Sequence, residues 1–199
     1  MLLLARTRWL ARGRDLFFIV GILALGYVGL TLVEARLYQV SAKRSLENQI
    51  QVQQSLTVIR SVPAVKSAIK EGDVLGGIDI PRLGFSVVIL QGTKSRMLRL
   101  GAGHIEGTPL PGEVGNSGIA GHRDTFFRSL KDIRPNDEIQ LQTANGLSRY
   151  EVDWVKRVAP DDVTVLSAST ESVLTLVTCY PFYFVGPAPQ RFIVRAHKF

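Results

Sequence analysis

An uncharged run of 18 residues, Leu16–Val33, divides this chain into parts with different folding problems. As a helix it is about 27 Å long, close to the hydrocarbon thickness of a bilayer. Arg6, Arg8, Arg12 and Arg14 precede it. Trp9 lies before it, and Tyr27 and Tyr38 lie toward its far end, where interfacial aromatics sit. The reading is an uncleaved anchor over residues 16–33 behind a basic cytoplasmic tail, residues 1–15. Arginines on the short side predict an N-terminus inside and residues 34–199 outside the cytoplasm. A cleaved signal peptide is the competing reading. Its apolar region is usually shorter and ends at a small-residue site, whereas Glu34-Ala35-Arg36-Leu37 follows here. A buried core helix fits the flanking arginines poorly.

The anchor reading also explains the charge. The 199 residues carry a formal +7, which invites a nucleic-acid interpretation. Residues 1–71 hold 10 Lys+Arg and 4 Asp+Glu, and residues 72–199 hold 14 and 13. The basicity therefore belongs to the N-terminal region, and a domain surface built to cover phosphates is not expected. No nucleotide-binding motif is present. One cysteine excludes an intramolecular disulfide and a cysteine-based zinc cage, and no His/Asp/Glu set has metal-ligand spacing. No cofactor is expected.

Residues 34–71 change character. Gln39, Gln49, Gln51, Gln53 and Gln54 crowd the stretch, helix formers run to Arg60, and Pro63 interrupts. The apolar spacing of Leu46, Ile50, Leu56 and Ile59 supports a weakly amphipathic helix. This is read as a stalk that either lifts the domain or packs on it.

Residues 72–199 read as one all-β domain with short helices. Candidate strands are Gly77–Ile80, Ser86–Leu90, Ser117–Gly121, Glu138–Gln142, Ser148–Val158, Val163–Leu166, Val173–Cys179 and Arg191–Ala196. Turn signals separate them, and Asn145-Gly146 predicts a hairpin. Short helices are expected at Lys94–Arg99 and Thr125–Leu130. Many short strands with few helices suggest a closed or nearly closed barrel. Strand alternation then sorts the side chains. With Leu174 and Leu176 inward, Thr175, Val177 and Cys179 face out. With Phe192, Val194 and Ala196 inward, Arg191, Ile193 and Arg195 face out.

Three residues stand out chemically. Cys179 is a lone thiol in a domain expected to be exported, where an idle thiol oxidises or cross-links. The bland alternative is a small buried hydrophobe. A cysteine nucleophile needs a proton carrier, usually histidine. His122, in Gly121-His122-Arg123-Asp124-Thr125, follows an apolar strand, whereas His104 sits in a Gly-rich loop and His197 is near the C-terminus. Asp124 either braces this loop or caps the helix after it. Arg191 at a strand end suits a carbonyl on which charge builds, a task for a fixed guanidinium; alone it reads as a solvated charge.

The segments Ile119-Ala120-Gly121-His122-Arg123-Asp124-Thr125, Thr175-Leu176-Val177-Thr178-Cys179 and Arg191-Phe192-Ile193-Val194 resemble the three signature segments of sortases. Pro109-Leu110-Pro111-Gly112 ahead of Gly115-Asn116 also resembles the stretch leading to the family's histidine. The likeness covers about residues 76–199 and is most similar to class D, with class E the alternative. It implies a closed eight-stranded barrel and a cysteine transpeptidase acting on a short C-terminal sorting signal, LPxTG-like, of exported proteins. Cys179 would attack the carbonyl of a threonine, His122 would protonate the leaving amine and Arg191 would stabilise the oxyanion. Val177 and Thr178 are candidate substrate-binding residues, although strand packing also explains Thr178. The acceptor would be an amine on the cell wall or another surface protein. A papain-like protease places its cysteine before its histidine, the reverse of the order here. An L,D-transpeptidase wants a different context around the cysteine than Thr178 supplies. A non-catalytic, membrane-anchored barrel adaptor with a structural cysteine is the remaining alternative.

Overall fold

The computed structural model describes residues 2–57, 69–184 and 186–199. Helix α1 (Leu2–Thr57) contributes to two compact units, one ending at Tyr38 and one running from Gln39 to Phe199. Within it, Phe17–Leu46 is long and apolar enough to cross a membrane. Phe17, Leu23, Tyr27 and Leu30 are exposed, as lipid-facing side chains would be. Pro63 and the side chains of Ile50, Leu56 and Ile59 lie outside the described residues.

The second unit is a closed barrel of eight strands: β1 (Val74–Ile80), β2 (Phe85–Gln91), β3 (Ala102–His104), β4 (Gly115–Ala120), β5 (Glu138–Thr143), β6 (Gly146–Val158), β7 (Ser172–Tyr180) and β8 (Gln190–Lys198). Their order around the barrel is β1-β2-β3-β4-β7-β8-β6-β5. The β2–β3 and β4–β7 pairs are parallel and the rest are antiparallel. Closure removes every sheet edge. Alternation fills the interior: Ile139 and Leu141 from β5, Leu174 and Leu176 from β7, and Phe192 and Val194 from β8.

One expected strand is absent and one strand was not expected. Val163–Leu166 is not a strand; Thr164–Leu166 forms a single 3-10 turn. Its β-branched composition suits a strand, but the segment is drawn across the barrel wall, where Val165 O accepts a hydrogen bond from Asn116 Nδ2. The eighth strand is β3, three residues paired parallel to β2. The expected Lys94–Arg99 helix appears as α2 (Ser95–Leu100). The segment after His122 is a 3-10 helix, Phe126–Asp132, entered from Thr125 without a side-chain cap, so Asp124 does not cap it. The hairpin between β5 and β6 forms, with Gly146 at φ 113 beginning β6.

The stalk helix packs on this barrel. Gln39, Ala42 and Leu46 share one helix face, and the latter two are buried. Gln39 Oε1 accepts from Val88 N–H at 3.0 Å, while its Nε2 donates to Leu100 O. One side-chain amide thus serves a donor on β2 and an acceptor at the end of α2. Lys43 adds a hydrogen bond to Ser86 Oγ at 3.2 Å. Replacing Gln39 by Ala strands both backbone groups, at a cost of about 1–3 kcal/mol. Thermal unfolding of the full chain in detergent micelles should show the loss, and Gln39→Glu should restore only the acceptor half.

One ion pair staples the barrel's end. Arg82, in the Pro81–Leu83 turn, donates to Asp137 and, through Nη2, to Asp132 O at 2.7 Å. Asp137 also accepts from Arg134 N–H at 2.9 Å. The hydrogen bond from Arg82 holds the Asp137 carboxyl below the usual carboxylate range. A carboxyl with a depressed folded-state value stabilises above its unfolded value, about pH 4, and loses that contribution as pH falls through the folded value. Asp137→Asn should therefore lower the melting temperature by several degrees at pH 7. That deficit should shrink in scans below about pH 4.

Candidate active site

The site is assembled on the outer face of three neighbouring strands, β4, β7 and β8. Cys179 and Arg191 are direct cross-strand partners in the β7–β8 ladder. Directly opposed residues have Cβ atoms about 5 Å apart, so thiol and guanidinium stem are neighbours. The third member arrives by the parallel β4–β7 register, in which Ala120 is level with Val177. His122 lies two residues beyond Ala120, just past the end of β4, as Cys179 lies two residues beyond Val177 on β7. Cys179, His122 and Arg191 are all half-buried, shielded yet accessible from outside.

Local packing fixes where His122 emerges. Gly121 N–H donates to Val177 O at 3.1 Å, and Gly121 O accepts from Thr178 Oγ1 at 2.7 Å. Phe127 N–H then donates to His122 O at 3.0 Å, turning the chain into the 3-10 helix. The Phe127 ring fills the space over Gly121: a Cβ there would stand 2.6 Å from the ring. Only glycine fits, and the tight seat aims the next residue. Thr178 is thus placed differently from Val177. Its side chain is buried on the core side and holds Gly121, whereas half-buried Val177 shares the outer face with Cys179.

The other histidines are engaged elsewhere. His104 is buried, with Nδ1 2.9 Å from Gln91 Oε1 and Nε2 3.0 Å from Pro109 O. His197 Nδ1 lies 2.6 Å from Asp153 Oδ1. Arg191 is loosely held: Nη1 is 3.4 Å from Ala188 O and 3.3 Å from Gln190 O, and its Nε and Nη2 make no hydrogen bond among the described residues. Its other guanidinium N–H groups are left without an acceptor among the described residues.

Two connections flank these residues. On one side, Asn116 Nδ2 donates to Val165 O and Ser167 O, both at 3.0 Å, and Thr175 Oγ1 donates to Asn116 Oδ1 at 2.6 Å. This network explains why outward-facing Thr175 is fully buried. Leu166 closes over Gly118, where a Cβ would meet it at 2.9 Å. On the other side, residues 181–189 join β7 to β8. There Tyr180, Phe182 and Phe192 form an aromatic cluster, with the Arg157 guanidinium 4.6 Å from the Tyr180 ring centre. These residues line a cavity of about 370 Å³ at the barrel mouth. Asn116, whose amide ties β4 to the segment ahead of β7, is a residue that strand alternation did not single out.

A nucleophilic thiol, an imidazole and a guanidinium with free donors can together perform acyl transfer. Among the described residues, no group of three or more His, Cys, Asp or Glu is placed to hold a metal. The sortase-domain family model matches residues 78–199. The chain belongs to the sortase family. Sortase D of Bacillus subtilis (strain 168) is 36% identical over 124 residues, covering 62% of this chain and 63% of that protein. Sortase A of Listeria monocytogenes is 27% identical over 128 residues, covering 59% of this chain and 57% of that protein. These matches span less than two thirds of either relative. A Clostridium perfringens sortase D5 transpeptidase superposes with a TM-score of 0.66 at 28% identity, covering 84% of this chain and 99% of its own. The closed barrel is the sortase barrel, and class D is the most similar subclass.

Proposed function

We propose that this sortase is a membrane-anchored cysteine transpeptidase for exported proteins bearing a short C-terminal sorting signal. The observation that carries the reading is the cross-strand pairing of Cys179 with Arg191, with His122 two residues past Ala120, the β4 residue that pairs with Val177 on the strand carrying Cys179. A Clostridium perfringens sortase C, 30% identical with a TM-score of 0.61, has been solved with the C-terminal cell wall sorting motif, which supports the substrate class.

The Cys179 thiolate attacks the carbonyl carbon of the signal's threonine, and Arg191 donates to the oxyanion that forms. The C–N bond then breaks, the leaving amine takes a proton from His122, and a thioester remains on Cys179. An incoming amine attacks that thioester, gives its proton to His122 and expels the thiolate. The acceptor amine belongs to the cell wall or another surface protein; water resolves the thioester more slowly. Val177 lies beneath the bound signal, and Thr178 acts through Gly121 on the position of His122. In the anchored chain, residues 1–15 are cytoplasmic, residues 16–33 span the membrane, residues 34–71 are the linker and residues 72–199 are the extracytoplasmic catalytic domain. The arginines before the span support this orientation.

The test incubates the full chain in detergent micelles with a library of sorting-signal peptides and a small amine. Cleavage with appearance of the amide-linked peptide is expected. A folded protein with a titratable thiol that cleaves no peptide would overturn the reading in favour of a non-catalytic adaptor.

A further inference from the structure

Arg123 immediately follows His122, yet its side chain reaches the connection between Cys179 and Arg191. Its Nη2 donates to Phe184 O at 2.8 Å and to Gly186 O at 3.0 Å. Its guanidinium carbon lies 5.8 Å from the Phe184 ring centre. A second arginine from the same segment, Arg128, stands 5.6 Å from the centre of the Tyr183 ring. Tyr183 and Phe184 are exposed, so apolar packing does little to hold this part of the loop. What ties it to the barrel here is the pair of arginines. Among the described residues, Arg123 Nη1 is enclosed and meets no acceptor.

We infer that Arg123 is a positioning residue, clamping the β7–β8 connection to the histidine segment and so setting His122 and Arg191 against Cys179. The inference rests on the transpeptidase reading. Cys179 and Arg191 sit on β7 and β8 and His122 just past β4, and the ladder fixes Cys179 and Arg191 at their backbones only. His122 lies beyond the last β4 residue, and the Arg191 side chain leans on Ala188, in the clamped connection, and on Gln190, the first residue of β8. Freeing that connection loosens both groups without breaking a barrel strand. Misplacement by an ångström costs up to about a hundredfold in rate.

The test compares Arg123→Ala and Arg123→Lys with the parent as full chains in micelles. For Arg123→Ala, kcat for peptide transfer should fall about 10- to 100-fold. KM should change less than threefold, and the melting temperature should move by less than about 2 °C. Arg123→Lys should recover part of kcat, because an ammonium still donates to the two carbonyls. Hydrogen exchange at residues 181–189, measured without substrate, should speed up in Arg123→Ala while exchange in β7 and β8 stays unchanged. Unchanged kcat together with unchanged loop exchange would overturn the inference. So would a loss of activity fully accounted for by barrel unfolding in both variants. If the parent turns over no peptide, the transpeptidase reading fails instead, and the exchange measurement still decides whether Arg123 clamps the loop.

Discussion

Cys179→Ala should abolish peptide transfer, lowering kcat/KM by at least about 10⁴-fold while leaving the barrel folded. The size of the effect follows from what is lost. Without a sulfur nucleophile no acyl-enzyme forms, and His122 and Arg191 have no bond-making step to assist. Folding should survive because Cys179 is half-buried on the outer face, outside the cluster of Leu174, Leu176, Phe192 and Val194 that fills the barrel. Removing one sulfur there opens no core cavity. The structural-cysteine alternative makes the opposite forecast, a stability loss with function kept. Steady-state transfer kinetics with melting curves on the same samples separate the two.

Arg191→Lys should lower kcat by about 10²- to 10³-fold with little change in melting temperature. Charge is conserved by this substitution, so simple electrostatic attraction of an anion would survive it. The planar array of donors does not survive, nor does a guanidinium's ability to aim two N–H groups at one developing oxyanion. Among the described residues, Arg191 makes only long contacts, to Ala188 O and Gln190 O, so its replacement strands no buried partner there. Should Arg191→Lys retain more than a third of parental kcat, the oxyanion role fails and Arg191 becomes a solvated strand-end charge.

Elements whose identity depends on local pattern were readable in the sequence. β5, β7 and β8 alternate inward aliphatic residues with outward ones, and the outward set already put Cys179 and Arg191 on one face. Elements decided by distant partners were not. β3 is only Ala102, Gly103 and His104, too short and too poor in β-formers to stand out, and it is a strand because β2 and β4 flank it. Thr164–Leu166 has strand composition but is tied down by Asn116, about fifty positions earlier. Whether the stalk docks depended on Gln39 meeting Val88 and Leu100, 49 and 61 positions away. Arg123 shows the same limit within the site. It stands in the histidine segment of the sequence, but its contact with Phe184 lies 61 positions on. The three candidate residues, His122, Cys179 and Arg191, stood out in the chain alone. The packing that aims them, Gly121 beneath Phe127 and Thr178 against Gly121, required the folded barrel.

The most direct measurement is the intact mass of the full chain after brief exposure to a sorting-signal peptide without an acceptor amine. A mass increase equal to the acyl fragment, mapped to Cys179, released by hydroxylamine and absent in Cys179→Ala, is the predicted result. Peptide cleavage with no such adduct under rapid quenching, or an adduct that persists in Cys179→Ala, would contradict a thioacyl mechanism at this cysteine.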